Sequence, residues 1–183
     1  MDAKVKDVLG LDLATTTGWA RGEVGGIPRC GSQTFGTTGA SSNAVFGHAL
    51  KFFSAMLGTE PKPDLIVVEQ MLPPDAMRGA TNKATRDRLA GLHGILRGVA
   101  FCRGLYEVHE VSVLAVRRHF LGFQNAKKHD VFDRCRKMGW SVSNTDEADA
   151  AALWHFSCSL LKPELAIETS PLFGVRGVTV SAR

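Results

Sequence analysis

The reading of this chain turns on Asp146-Glu147-Ala148-Asp149-Ala150-Ala151-Ala152-Leu153. The stretch has the marks of a helix start. Thr145 or Asn144 stands ready to cap it, acids fill the first turn, where the helix dipole favours them, and an Ala/Leu/Trp run follows. Asp146 and Asp149 are three apart, so on a helix both carboxylates point the same way. A cap needs one acid. Two aligned carboxylates repel unless a cation, or a Lys or Arg, lies between them. A solvated first turn also explains the pattern by itself, so the decision rests on what else in the chain arrives at this place.

Two distant strands supply further acids. Val5 to Leu13 is a short apolar run with Asp12 near its end, and reads as a buried central strand. An Asp at the end of such a strand is costly unless it is paired or binds metal. Asp64-Leu65-Ile66-Val67-Val68-Glu69 is a second apolar strand that ends in a carboxylate. Between them, Ala14 to Gly18 reads as a polar turn, Trp19 to Val24 as a strand, Gly25-Gly26 as a hairpin turn, and Arg29 to Gly36 as a third strand. Ser41 or Ser42 then caps a helix with Val45, Phe46, Ala49, Leu50, Phe53, Met56 and Leu57 on its apolar face. A strand that follows a hairpin and a helix returns by a parallel crossover beside the first strand. That places Asp12 and Glu69 at the same edge of the sheet.

The remainder continues in alternation. A helix is expected over Asn82 to Arg103, a strand over Leu105 to Val111, a short helix over Val113 to Phe120, a basic helix over Ala126 to Met138, and the Asp146 helix to about Leu161. The order β-β-β-α-β-α-β-α-α-α describes an α/β domain with a mixed sheet: three antiparallel strands, then parallel crossovers. The expected division is a domain over 1–162 and a tail, 163–183, of unassigned structure.

Composition bounds the partners. At 183 residues, 44% hydrophobic and 22% charged, the chain suits one compact domain with a sizeable core. No apolar run approaches a membrane span, and the N-terminus lacks the apolar region of a signal peptide. Four scattered cysteines (Cys30, Cys102, Cys135 and Cys158) fit a reduced intracellular protein better than a zinc site. The net charge of +4 is unevenly placed. Residues 78–137 carry 13 Lys/Arg against 5 Asp/Glu, so a basic middle segment accompanies an acidic remainder. A basic surface suggests a polyanion partner.

If the Asp146 helix packs on the edge that holds Asp12 and Glu69, four carboxylates converge, and four acids in one pocket cannot all stay ionised without cations. Oxygen-only ligands with room for water suit Mg²⁺ or Mn²⁺. Two such ions roughly 4 Å apart serve phosphodiester cleavage, one activating water and the other stabilising the leaving oxygen.

Val8-Leu9-Gly10-Leu11-Asp12 with its Thr-Thr-Gly turn, Val67-Val68-Glu69-Gln70 and Asp146-Glu147-Ala148-Asp149-Ala150 together resemble the three acidic motifs of RuvC-type Holliday junction resolvases, of the RNase H-like superfamily, over about residues 5–160. The resemblance implies an RNase H-like sheet flanked by helices, with Asp12, Glu69, Asp146 and Asp149 as ligands of two Mg²⁺ or Mn²⁺ ions per site. It also implies a homodimer that cuts four-way DNA junctions in recombination or repair. Val116-Arg117 and Ala126-Lys127-Lys128-His129-Asp130-Val131 match the family's basic positions. Lys128 is carried over as catalytic or phosphate-binding support. Leu72, Arg78, Lys83, Arg86, Arg117, Arg118, Lys127 and Lys128 are the expected nucleic-acid contacts. The sequence departs from the family in two places. Leu13-Ala14 replaces a Pro-Gly after the first Asp, and Met71-Leu72 stands where an aromatic residue is usual, so an apolar wedge is available but aromatic stacking is not. A divergent phage or organellar member cutting several branched structures fits these departures. Its expected place is the cytoplasm of a bacterium or phage-infected cell, or an organelle.

Three other readings compete. The glycine-and-threonine turn after Asp12 also resembles the first phosphate loop of sugar kinases and actin-like ATPases, but those need two such domains and this chain has length for one. A nuclease acting on RNA–DNA hybrids or flaps would use the same acids. A non-catalytic nucleic-acid-binding module would have no need to keep all four.

Overall fold

The computed structural model describes residues 6–71, 83–123 and 125–164. The elements follow the expected order: β1 (Asp7–Asp12), β2 (Thr16–Glu23), β3 (Arg29–Thr34), α1 (Ser42–Met56), β4 (Leu65–Glu69), α2 (Lys83–Cys102), β5 (Val108–Val111), α3 (Val113–Leu121), α4 (Lys128–Lys137) and α5 (Thr145–Leu161). The strands form one sheet in the order β3-β2-β1-β4-β5. β1, β2 and β3 pair antiparallel, while β4 pairs parallel with β1 and with β5. This is the mixed sheet implied by the resemblance.

β1 is apolar on both faces because both are covered. Leu9, Leu11, Ile66 and Val68 face α1 and α2, in a core with Val45, Ala49, Phe53, Leu92 and Leu96. Val8 and Val67 face the other way, into a core formed with α3, α4 and α5 that includes Val116, Val131, Trp140 and Trp154. Strand side chains alternate in direction, so the residues at β1 position 12 and β4 position 69 belong to the α5 face.

Local expectations need several adjustments. Thr16 to Gly18 belong to β2 rather than to a turn: Thr16 pairs with Thr34 and Gly18 with Ser32, so the ladder runs right up to the bend after Asp12. β5 begins only at Val108, so Leu105 to Glu107 lie outside the strand. On α1, the buried row is Val45, Ala49 and Phe53, with Ser41 as cap; Leu50 lies off that row and is half exposed. Lys127 precedes α4, its backbone N–H donating to Asp130 Oδ2 at 2.8 Å. Cys30, Cys102, Cys135 and Cys158 are free thiols. Among the described residues, no helix is long and apolar enough to cross a membrane. The 163–183 segment lies outside the described residues, apart from Pro163 and Glu164.

Candidate functional site

The parallel register sets Leu11 beside Val68, so Asp12 and Glu69 follow side by side at the carboxyl ends of neighbouring strands. Two glycines bring α5 to the same edge. A Cβ on Gly18, which pairs with Asp12, would overlap the Asp146 carbonyl oxygen. A Cβ on Gly10, two residues back on the same face, would lie 2.9 Å from the Ala150 carbonyl oxygen. The missing side chains form a notch in which the first turns of α5 rest on the sheet backbone. Trp154 fixes the far end of this contact, its indole N–H donating to the Gly22 carbonyl at 3.1 Å.

The start of α5 is locked by a polar network. Asn144, not Thr145, is the cap: its Oδ1 accepts from the backbone N–H groups of Asp146 and Glu147 at 3.0 and 2.9 Å. Its Nδ2 donates to Ser32 Oγ on β3 and to Glu147 Oε1. Glu147 is buried and also accepts from Ser32 Oγ and the Ser143 N–H. The middle acid of the sequence stretch therefore points away from the other two and ties the helix start to β3. Asp146 and Asp149 are left on the side of Asp12 and Glu69.

Lys128, the first residue of α4, reaches into this group. Its Nζ lies 3.1 Å from Asp146 Oδ1 and 3.3 Å from Asp149 Oδ2, an ammonium between the two aligned carboxylates. Asp12, Glu69, Asp149 and Arg117 line one small cleft, with Val116 and Val131 as its apolar wall. Four carboxylates thus meet two cations, and negative charge is in excess.

The proton affinities record that excess. Burial, then Asp149 and Glu69, push the Asp12 carboxyl up to about 7. Burial and Asp149 raise Glu69, against the pull of Arg117 and Lys128. Burial raises Asp149, again against Lys128 and Arg117. Burial alone would lower the Lys128 ammonium, but Asp12, Asp149 and Asp146 outweigh it and hold the ammonium above its ordinary value. The site favours bound positive charge.

The donor set suits a hard divalent cation: carboxylate oxygens only, short of positive charge and at a sheet edge. Among the described residues, no group of three or more His, Cys, Asp and Glu side chains is arranged, as it stands, to hold a metal ion. Lys128 supplies the local positive charge instead.

The other expected contacts divide. Arg117 lies in the cleft, while Arg118, next along α3, is exposed and does not line it. Lys127 is exposed beside Lys128. Lys83 is exposed at the start of α2 and paired with Asp87 at 3.0 Å, with Arg86 close by on the same helix. Leu72 and Arg78 lie outside the described residues. His155 is buried against His119, its Nδ1 lying 3.1 Å from His119 Nε2, and so belongs to the core, not to the acids. A groove of about 470 Å³ at the other end of β4, among Leu65, Leu105 and Leu160, is away from the carboxylates.

Sequence comparison finds no matching family model and no matching curated protein. Solved structures do match. The Thermus thermophilus RuvC structure aligns with a TM-score of 0.65 at 18% identity, over 90% of this chain and 98% of that one. T. thermophilus RuvC in complex with Holliday junction substrate aligns at 0.67 and 14% identity, over 87% and 96%. The yeast mitochondrial Holliday junction resolvase Ydc2 aligns at 0.56 and 13%, over 85% and 80%. The chain has the RuvC-type, RNase H-like fold.

Proposed function

We propose that the protein is a metal-dependent endonuclease that hydrolyses phosphodiester bonds in Holliday junctions or related branched DNA. The observation that carries the reading is the meeting of Asp12, Glu69, Asp146 and Asp149 at one sheet edge, with Lys128 bridging two of them. A structural role does not call for four gathered acids, three of which, Asp12, Glu69 and Asp149, are held above their ordinary values chiefly by burial; such a cluster fits sites built for cations. The shared fold with RuvC and Ydc2 supports the same reading.

In this scheme Asp12, Glu69, Asp146 and Asp149 would hold two Mg²⁺ or Mn²⁺ ions. Such ions make water nucleophilic at neutral pH and neutralise the departing oxygen. The protein's own groups position and balance charge. Asn144 and Glu147 fix the turn that carries Asp146 and Asp149. In this proposal Lys128 and Arg117 hold the oxygens of the scissile phosphate, Lys128 as a point charge and Arg117 as a planar donor. Lys83, Arg86, Arg118 and Lys127 are proposed as further contacts to the DNA backbone, with Arg78 a candidate from sequence alone and Leu72 the sequence candidate for an apolar wedge.

Junction resolution requires two cuts, so a homodimer is part of the proposal. On α2, Gly91 is filled by the Phe46 ring of the same chain, but among the described residues nothing stands before Gly94 and Gly98, and Phe101 is exposed. That face is available to a second copy. The setting proposed is recombination or repair in a bacterial or phage-infected cell, or in an organelle.

Asp146→Asn separates the two halves of the reading. It is expected to abolish cleavage of a four-way junction while leaving junction binding in place, because the basic surface extends well beyond the acids. Parallel loss of binding and cleavage would count against it.

A further inference from the structure

We propose that the cavity between the bend after β1 and the first turns of α2 receives the single nucleotide beside the bond to be cut, drawn out of its stack. This rests on the nuclease reading and adds to it a nucleotide subsite. The cavity has a volume of about 360 Å³ and shares Asp146 with the carboxylate cluster. Whatever occupies it is therefore next to the reacting phosphate. Its size is at the low end for small-molecule pockets, which suits one nucleoside and not a duplex.

The lining has the chemistry of a nucleotide site. Leu13, Leu89 and Leu92 give an apolar surface for the face of a base, and Thr15, Thr16 and Thr85 bring hydroxyl groups. Arg88 adds a cation for backbone phosphate. Its Nη2 is anchored to the Ala40 carbonyl at 3.0 Å, and no carboxylate forms an ion pair with it among the described residues. Its positive charge is left for a ligand. Threonine hydroxyls both donate and accept, so the lining admits any base and selects for extrusion rather than for sequence.

The wall is preformed. Thr17 is fully buried, and its Oγ1 clamps the bend by accepting from the Ala14 N–H at 3.2 Å and donating to the Ala14 carbonyl at 2.8 Å. The Thr15 carbonyl accepts from the Phe35 N–H, and Thr16 Oγ1 bonds with Thr34 Oγ1. Binding then requires little ordering of the protein. The remaining cost is unstacking one nucleotide, a few kcal/mol in a duplex and least where pairing is already interrupted. The compartment thereby gives a physical source for preferring branched DNA without reading its sequence.

The test places 2-aminopurine at successive positions around the branch point of a synthetic four-way junction and measures its fluorescence in EDTA with the full-length protein. Cleavage of the same junctions is mapped separately with Mg²⁺. The expected result is a fluorescence rise only at the position adjacent to each mapped cut. The rise should be lost in Thr85→Trp, which fills the cavity from an exposed site on α2, and weakened in Arg88→Gln. An abasic residue at that position should slow wild-type cleavage about tenfold, the scale of one lost base contact. Cleavage without a position-specific rise, or a rise that survives Thr85→Trp in a folded, junction-binding protein, overturns the compartment and leaves the nuclease reading standing. A rise lost in Thr85→Trp, with no cleavage of any DNA, supports the compartment and overturns the nuclease reading instead.

Discussion

Replacing Asp12 with Asn should make the cation-free protein more stable, although it removes a residue from the proposed metal site. Burial and the charges of Asp149 and Glu69 raise the Asp12 carboxyl from 3.8 to about 7. A carboxyl whose folded value is raised stabilises the fold when protonated, and that contribution is lost as pH climbs between the two values. The window here is pH 3.8 to 7. At pH 8, ionised Asp12 costs up to about 4 kcal/mol, from roughly 3 units at 1.36 kcal/mol each. Asn recovers less, because its amide is also taken out of water, so a gain of about 2–4 kcal/mol is expected. For a chain of this size that corresponds to a rise in melting temperature of roughly 5–15 °C. The assay is thermal unfolding of both proteins in EDTA at pH 4 and pH 8. The gain should be large at pH 8 and nearly absent at pH 4. Mg²⁺ should then raise the melting temperature of wild type more than that of Asp12→Asn. A variant less stable than wild type at pH 8, or a gain independent of pH, would refute the electrostatic argument.

Further expectations concern the elements around the acids. Lys128→Ala should slow junction cleavage by about 10–100-fold while changing divalent-cation affinity much less, measured by single-turnover cleavage across a metal titration; unchanged rates would remove Lys128 from the site. Gly18→Ala pushes a methyl group into the Asp146 backbone, and a shift of α5 by about 1 Å should cost on the order of 100-fold in cleavage. It should also lower stability by about 1–3 kcal/mol or more. Wild-type activity with Gly18→Ala would show that α5 does not depend on the notch. Junction affinity should fall steeply with salt as Lys and Arg side chains release counterions. A flat salt response would undercut the role given to the basic segment.

Much of this was legible because the signals were periodic and local. Apolar runs ending in Asp12 and Glu69, a helix between them and an acid-rich helix start were enough to place the acids and the element order. The residues that force them together were harder to see. Gly10 and Gly18 read as an ordinary strand residue and part of a turn, yet their missing side chains admit α5; their period-two spacing with Asp12 across the β1–β2 ladder was the available signal. Glu147 sits among acids in sequence and is buried in a separate network with Ser32 and Asn144. No local pattern shows that partnership, because Ser32 is 115 residues away. Arg117 and Arg118 look alike in the sequence as DNA contacts, yet Arg117 lies among the acids and Arg118 does not, a difference set by the packing of α3.

The most direct measurement incubates the purified protein with a mobile four-way DNA junction, a Y-flap, a linear duplex and an RNA–DNA hybrid, each with Mg²⁺, Mn²⁺ or EDTA. Paired nicks in the junction are expected with either metal, none in EDTA, and none with Asp146→Asn. An intact junction in every metal condition, with junction binding retained, would contradict the nuclease reading and leave a nucleic-acid-binding module on a nuclease fold.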